Sequence, residues 1–167
     1  MEELNSLLRQ VKQYIEDPTI GLPEEIFLFA TEITPMVNVD LLIRDNNGRI
    51  LLAWRNDRYH GIGWHVPGGI LRLKESLLDR VQKTALKEIG CYVMCENEPS
   101  EIIPIIIKKQ TMRSHFITFI YECKLPDDFE IKNENKKEGE TGFLAWHSKF
   151  PDNMIDVHTF YKKYFDD

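Results

Sequence analysis

The residues from Gly69 to Gly90 are of types, and at spacings, that could hold a metal ion against a phosphate group. Gly69 is followed by five residues and Glu75, and seven further residues lead to Lys83 and then to Glu88. A glycine loop lets the backbone approach phosphate oxygens closely, and a hard cation prefers oxygen ligands such as a carboxylate or a peptide carbonyl. The pattern therefore points to a divalent cation bound against a diphosphate.

A loop and a helix must position these residues. Apolar residues recur at steps of three and four over residues 76–89, and Gly90 is typical of the residue that follows a helix. On this helix Thr84, Lys87 and Glu88 share one face. A single glutamate on such a face is most commonly solvated, so the residues around Glu88 decide how it is interpreted.

The segment resembles the Nudix box, G-x5-E-x7-R-E-U-x-E-E-x-G-U, where U is an aliphatic residue. The residues at matching positions are Gly69, Glu75, Ala85, Glu88 and Gly90. Lys83 stands in place of the box arginine, while Thr84 and Lys87 stand in place of two box glutamates. One branch of the superfamily, the GDP-mannose mannosyl hydrolases, also lacks those two carboxylates and keeps the later glutamate.

The resemblance to this branch continues outside the box and covers roughly residues 34–167. The stretches that carry it are Thr34–Asp40, Leu51–Arg55, Gly61–Gly69, Val157-His158 and Tyr164-Phe165. It implies hydrolysis of a nucleoside-diphosphate sugar in which water attacks the sugar carbon C1 and the whole nucleoside diphosphate leaves. Diphosphate is a good leaving group, so the protein mainly has to neutralise its charge and place a base beside the water.

The resemblance also implies one Mg²⁺ per active site, with Mn²⁺ as a possible replacement. Glu88 and the peptide carbonyl of Gly69 match the family's metal ligands by position. The family's third ligand comes from the loop before the last strand, where Glu140 is the candidate. Lys87 either faces solvent or, beside Glu88, repels a second cation from the site.

Candidate substrate-binding residues are the cations Arg55, Arg58, Arg72, Lys74 and Lys83. Arg55 matches a family arginine that contacts the diphosphate, and Asp40 matches a family aspartate near the nucleotide or sugar. The alternative for Arg55 is an exposed charge on an edge strand, and for Asp40 it is a solvated residue of an alternating strand. Lys83 and Glu75 match positions that form an ion pair and orient the loop on the helix.

Two positions depart from the family pattern. Ile70 replaces an arginine that stabilises the leaving diphosphate, and Thr141 replaces the histidine that acts as general base. Threonine cannot serve as a base at neutral pH. The remaining candidates for the base are His60, His65, His115 and Glu140. The predicted catalytic residues are Asp40, Arg55, His115 and Glu140.

The order of the predicted elements indicates an α+β fold. The resemblance implies a Nudix-type α/β/α sandwich with a mixed β-sheet. An extra helix over residues 2–16 belongs to an N-terminal extension, residues 1–30, ahead of a Nudix domain over residues 31–167. Asn46-Asn47-Gly48 predicts a turn that joins two strands into a hairpin. Further predicted elements are an irregular stretch over 61–69, a helix over 76–89, a hairpin of strands 102–110 and 115–124, a mobile loop over 126–140, a strand over 141–147 and a helix over 153–165.

Composition limits the partners. The chain has 167 residues and a formal net charge of −6, which disfavours nucleic acid and anionic membranes. No apolar run reaches the roughly 20 residues that a membrane span needs. The 3 cysteines have no metal-binding spacing, which predicts a reduced, cytoplasmic protein. Residues 44–87 nevertheless carry an excess of basic residues, which suits a small diphosphate.

Three functions remain open on the sequence alone. The first is hydrolysis at sugar C1, and the second is cleavage of the pyrophosphate of a nucleotide sugar. The third is a Nudix-fold nucleotide-binding domain without catalysis, because of Ile70 and Thr141. A homodimer is a possible assembly, since relatives of this type pair and the first helix has an apolar face to cover; its own domain could equally cover that face.

Overall fold

Residues 1–165 are described by the computed structural model, and their strands form two separate sheets. The helices are α1 (Glu2–Lys12), α2 (Glu24–Ile33) and α3 (Leu77–Glu88), with a 3₁₀ helix over Asp156–Tyr164. The strands are β1 (Met36–Ile43), β2 (Ile50–Asp57), β3 (Gly61–His65), β4 (Gly68–Ile70), β5 (Met94–Cys95), β6 (Glu101–Ile106), β7 (His115–Lys124) and β8 (Leu144–His147). The predicted α+β class is confirmed.

The larger sheet is mixed. Its order is β4-β1-β7-β5, and β6 also pairs with β7. β1 and β7 run parallel, with Met36 opposite Phe116, whereas the other pairs in this sheet are antiparallel. The smaller sheet has the order β3-β2-β8 and is antiparallel throughout. The predicted mixed sheet is therefore present, together with a second, antiparallel sheet.

Strand β1 contributes to two hydrophobic cores because successive strand residues point to opposite faces. Leu41 packs in a cluster with Leu51 of β2 and Val81 of α3. The next residue, Leu42, packs in a second cluster with Tyr161 of the 3₁₀ helix. Helices thus cover the strands from two directions, which is the α/β/α layering that the resemblance implied.

Helix α3 begins and ends where the sequence predicted. The Oγ of Ser76 accepts the N–H of Asp79 at 3.1 Å and so caps the first turn. Gly90 follows the helix with φ +91°, a left-handed conformation that glycine adopts without strain. Val81 and Ala85 are fully buried, so the apolar stripe faces the core and the opposite face is left to other residues.

The predicted pairing of the first two strands is wrong. β1 and β2 lie in different sheets, and the chain between them turns through an isolated bridge of Arg44 with Ile50 and a hydrogen bond from the Asp45 N–H to the Arg49 carbonyl. Both edges of β1 are already used, one by β7 and the other by β4, so β2 pairs with β3 and β8 instead. The Asn46-Asn47-Gly48 turn therefore passes the chain from one sheet to the other.

The N-terminal region holds a second helix that the sequence patterns missed. α1 ends at Lys12 rather than at residue 16, and α2 occupies residues for which no element was predicted. The apolar residues 26–30 of α2 are contiguous, so they give no helical period. The available signal was Glu24 and Glu25 in the first turn, where acidic side chains favour a helix start.

Other elements follow the sequence with smaller changes. β6 and β7 form the second predicted hairpin. β3 and β4 lie in the stretch 61–69 that was predicted to be irregular, and the strand predicted over 141–147 begins at Leu144. The last helix is a 3₁₀ helix. Residues 126–140 contain neither helix nor strand.

The extra N-terminal helix is present, and none of its residues is buried. Leu4, Leu7 and Leu8 on its apolar face remain exposed. A homodimer that covers this face therefore stays a prediction. Within residues 1–165, no helix combines the length and the apolar character that crossing a membrane requires.

The burial of Leu51 predicts a large loss of stability when its side chain is shortened. Leu51 is fully buried in the cluster beneath α3. Leu51→Ala should lower the free energy of unfolding by about 2–5 kcal/mol in chemical denaturation, because it leaves a cavity. Leu86→Ala on the exposed face of α3 is the matched control and should change it by less than about 0.5 kcal/mol. Equal losses in the two variants would contradict this placement of the core.

Candidate active site

A pocket of about 230 Å³ lies between β1, the glycine loop, α3 and the start of β7. Charged side chains from several elements line it: Asp40, Arg55, Arg72, Arg80, Lys87, Glu88 and Arg113. The pocket therefore combines a majority of cations with a few carboxylates. Of the residues predicted from the sequence, it brings together Asp40, Arg55, Gly69, Arg72 and Glu88.

The glycine loop is packed tightly between β1 and α3. β4 pairs with β1 so that Gly68 lies opposite Asp40 and Gly69 opposite Val39. A Cβ on Gly68 would collide with Asp40 Oδ1, and a Cβ on Gly69 would collide with Thr84 Oγ1. Only glycine lets the backbone come this close to both elements. The loop carbonyls and amides are consequently held beside the side chains of the pocket.

Glu75 fastens the rest of the loop to α3. Its carboxylate is paired with Arg80 at 2.7 Å and with Lys83 at 2.8 Å. It also accepts the backbone N–H of Arg72 at 3.0 Å. These contacts hold the pKa of Glu75 below its usual value despite some burial. The ion pair between Glu75 and Lys83 that the resemblance implied is present.

Glu88 presents a buried carboxyl group to the pocket. Its Oε2 is enclosed and has no hydrogen-bond partner among the described residues. Burial raises the pKa of Glu88 to about 7, while Arg55 and a hydrogen bond from the Gly68 amide oppose that rise. A buried carboxylate is costly unless it is paired, so the group either keeps its proton or binds a cation.

The donor set around Glu88 fits one hard divalent cation. Thr84 Oγ1 is a second buried oxygen without a partner among residues 1–165, and it lies against Gly69. No cluster of three or more His, Cys, Asp or Glu able to hold a metal occurs within those residues. Mg²⁺ commonly binds through one or two carboxylates and takes its other ligands from water and substrate phosphates. Glu88 supplies one such carboxylate, and the carbonyl of Gly69, which lines the same pocket, stays the predicted second ligand.

Asp40 is almost completely buried and is held by neutral donors. The Tyr161 hydroxyl donates to its Oδ2 at 2.7 Å, and the Asn38 amide donates to its Oδ1 at 3.0 Å. His158 Nε2 lies 3.9 Å from the same Oδ2. Because His158 Nδ1 accepts the N–H of Val66, its proton lies on Nε2, towards Asp40. Burial raises the pKa of Asp40 to about 7, against these hydrogen bonds and Arg55.

Two of the histidines proposed as the base line the pocket. His65 Nδ1 lies 2.9 Å from the carbonyl oxygen of Val66. Burial lowers the pKa of His65 to about 3 and that of His60 to about 4, so both rings are neutral at pH 7. His115 begins β7 and does not line the pocket.

Other predicted residues also lie away from the pocket lining: Arg58, Lys74, Lys83 and Glu140. Arg58 forms an ion pair with Glu24 of α2. Glu140 is exposed, and its carboxylate accepts the N–H of Lys137 within the loop. The roles of these residues in binding and catalysis stay predictions.

Sequence reasoning overlooked several residues of the pocket: Asn38, Arg80, Arg113, Thr118 and His158. Asn38 and Thr118 lie on neighbouring strands, where the Thr118 hydroxyl donates to the Asn38 side-chain oxygen at 2.9 Å. His158 belongs to a stretch that carried the family resemblance, so a signal for it existed. The sequence holds no local signal for Arg113, because the connection that carries it reaches the pocket only through the pairing of β6 with β7.

A glycine loop packed against a carboxylate-bearing helix, within two sheets covered by helices, defines the class of this domain. A family model described as "NUDIX domain" matches residues 34–150. The chain belongs to the NUDIX family.

Similar proteins agree with that membership. A MutT NUDIX hydrolase from Burkholderia pseudomallei has a TM-score of 0.60 at 17% identity, over 80% of this chain and 99% of that chain. A NUDIX hydrolase from Nitrosomonas europaea has a TM-score of 0.54 at 19% identity, over 68% of this chain and 72% of that chain. At such identities the likeness is one of fold. Low-salt glycan biosynthesis protein Agl8 from Haloferax volcanii is 29% identical over 122 residues, which are 68% of this chain and 74% of that protein.

The burial of Glu88 predicts how stability depends on pH without metal. The unfolded chain loses the Glu88 proton near 4.5, whereas the folded protein keeps it up to about 7. Between these values the folded state binds more protons, so its stability falls as pH rises. Glu88→Gln removes this loss. In EDTA, the unfolding free energy of the variant minus that of the wild type should therefore increase by about 3 kcal/mol from pH 4.5 to pH 8.

Mg²⁺ gives an independent readout of the same carboxylate. Excess Mg²⁺ should raise the Tm of the wild-type protein at pH 8, because it binds ionised Glu88 in the folded state only. The Glu88→Gln variant should lose this response, whereas Glu134→Gln in the exposed loop should keep it. The same Mg²⁺ response in the wild type and in Glu88→Gln would exclude Glu88 as a ligand.

Proposed function

We propose that the protein is a Mg²⁺-dependent hydrolase of a nucleoside-diphosphate sugar. Water attacks the sugar carbon C1, and the products are a nucleoside diphosphate and the free sugar. The observation that carries this proposal is the single carboxylate, Glu88, on the pocket face of α3, where Thr84 and Lys87 are its neighbours in the lining. One carboxylate on this helix suits charge neutralisation of a leaving diphosphate better than the assembly of several metals for attack at phosphorus.

In this proposal Glu88 and the carbonyl oxygen of Gly69 hold the Mg²⁺. The bound ion supplies positive charge to the diphosphate as it leaves. Lys87 lies at the same pocket, and its ammonium group repels a second cation at short range. The proposed stoichiometry is accordingly one metal ion per active site.

Arg55 and Arg72 bind the diphosphate oxygens. The Arg55 guanidinium is held in the pocket by Asp57, whose carboxylate lies 3.0 Å from its Nε. Arg72 is fixed through its backbone by Glu75, and its guanidinium lies against Gly21 of the N-terminal segment. A guanidinium offers several N–H donors in a plane that matches phosphate oxygens, so both residues suit this role.

Asp40 accepts the proton of the attacking water. Its pKa of about 7 places its basicity near the pH at which a general base is most effective. His60 and His65 are weaker bases in the same pocket, since burial lowers their pKa values to about 4 and about 3. The hydrogen bonds from Tyr161 and Asn38 keep the carboxylate in one orientation.

The similarity to Agl8, a glycan biosynthesis protein by name, supports a substrate that contains a sugar. A polar, positively charged pocket supports the diphosphate part of the same substrate. The identity of the sugar and of the nucleobase is left to experiment, with GDP-mannose as the first substrate to try.

Hydrolysis of GDP-mannose in ¹⁸O-labelled water with Mg²⁺ tests the proposed reaction. Attack at C1 places the label in the free mannose, which mass spectrometry detects. Label in a phosphate product would instead identify attack at phosphorus and would refute the proposed chemistry. Absence of turnover over a panel of nucleoside-diphosphate sugars would favour a nucleotide-binding domain without catalysis. Glu134→Gln should match the wild type in this assay, and Glu88→Gln should lose activity together with its response to Mg²⁺.

Asp40→Asn tests the role of the buried carboxylate. The amide has nearly the same size but cannot accept the proton, so kcat should fall by about 100-fold or more. Binding of GDP, measured by calorimetry, should change little. In the wild type, kcat/KM should rise as pH increases towards 7, because Asp40 must lose its proton to act. A kcat within threefold of wild type in Asp40→Asn would exclude Asp40 as the base.

A further inference from the structure

One wall of the pocket comes from the connection between β6 and β7. Arg113 lies in this connection and lines the pocket together with Arg55, His60 and Phe116. Its backbone has φ +53°, a conformation that is uncommon for residues other than glycine. Such a conformation persists only when the surrounding contacts enforce it, so the contacts of Arg113 need an explanation.

The N-terminal helix α2 holds Arg113 in place. The N–H of Arg113 donates to Thr31 Oγ1 at 3.0 Å, and Thr31 is itself buried. The hydroxyl of Thr31 in turn donates to the carbonyl of Leu28. The guanidinium carbon of Arg113 lies 5.7 Å from the ring centre of Phe27 and 4.9 Å from that of Tyr59. Residues before the matched NUDIX region therefore position a residue of the pocket.

The guanidinium of Arg113 has unused hydrogen-bonding capacity. Its Nε is buried and has no hydrogen-bond partner within residues 1–165. Nor does any carboxylate in that range pair with it, although Arg55 nearby pairs with Asp57. Burial and the positive charge of Arg55 lower the pKa of Arg113, which means that its surroundings disfavour the charge. A second negative group in the pocket would relieve this.

Arg113 approaches the pocket from the side opposite the glycine loop, whose Ile70 and Arg72 also line it. Four guanidinium groups line the pocket. Arg55 pairs with Asp57 and Arg80 pairs with Glu75, whereas Arg113 forms no ion pair within residues 1–165 and so has its charge available for an oxyanion. The overall charge of the chain is negative, so the local excess of cations is a property of this site.

We propose that Arg113 is a substrate-binding residue that takes an oxyanion of the nucleoside-diphosphate sugar. This inference rests on the proposed function. The oxyanion has two sources with the same chemistry, the diphosphate itself or a carboxylate on the sugar. Thr31 is a positioning residue that acts through the backbone of Arg113.

Calorimetric titrations in Mg²⁺ with GDP, GDP-mannose and GDP-mannuronate test this assignment. Every protein compared, the reference included, carries Asp40→Asn, so that the nucleotide sugars are not consumed during the titration. If the diphosphate is the anion, Arg113→Gln should weaken the binding of all three by about tenfold or more, as expected for a lost charged hydrogen bond. If the sugar carboxylate is the anion, only the binding of GDP-mannuronate should weaken. Lys109→Gln removes one positive charge from the same connection but lies outside the pocket lining, so it should bind all three ligands like the reference.

A Tm measurement shows whether Arg113→Gln remains folded. If it does not, two further variants test the same assignment. Arg113→Lys retains the charge without the planar fork and should give an intermediate loss. Thr31→Val keeps the size of the side chain but removes the acceptor for the Arg113 amide, and should weaken binding severalfold. In the Arg113→Gln background, Thr31→Val should not weaken ligand binding further. If Thr31 had a purely structural role, it would weaken binding in that background as well.

The outcomes separate this assignment from the function on which it rests. The role of Arg113 alone would be overturned by two results together. The wild type would show turnover that depends on Glu88, and a folded Arg113→Gln variant would bind all three ligands with unchanged affinity. A wild-type protein that neither binds nor hydrolyses these ligands would overturn the proposed function and the role of Arg113 with it.

Discussion

The site depends on the close packing of Gly68 and Gly69 between Asp40 of β1 and Thr84 of α3. No side chain fits at either glycine, so the loop backbone stays within reach of the helix. That contact encloses the Glu88 carboxyl group, which has one oxygen without a partner in the described chain. An unpaired buried carboxylate is tolerated when a cation or a proton completes it. The same packing that organises the loop thus requires either a proton or a cation at Glu88.

Electrostatic organisation differs sharply between the pocket and the whole chain. The protein has a net charge of −6, yet the pocket gathers several arginines around Asp40 and Glu88. The Arg55 side chain is restrained by Asp57, so it loses little freedom when a ligand binds, whereas Glu75 fixes the backbone of Arg72. Arg113 is restrained from outside the NUDIX region, by Thr31 of α2. The N-terminal segment therefore positions a residue that lines the pocket.

The sequence predicted the parts of the structure that depend on local pattern. Residue spacing and the family resemblance predicted helix α3 and the glycine loop. They also predicted that Asp40, Arg55 and Glu88 lie at the pocket. The partners of β1 could not be predicted, because several strands compete for its two edges and a local turn signal does not decide which strands pair there. Arg113 reaches the pocket only through long-range strand pairing. Glu140, predicted from a loose match in a loop, lies outside the pocket lining.

The central claim is that the bond between sugar C1 and the diphosphate oxygen is the one that breaks. The phosphorus-31 NMR spectrum of the products of GDP-mannose and Mg²⁺ tests it most directly, because the two possible reactions release different phosphorus compounds. Cleavage at C1 predicts the paired signals of GDP and no other phosphorus product. Signals of GMP and mannose 1-phosphate would contradict the account.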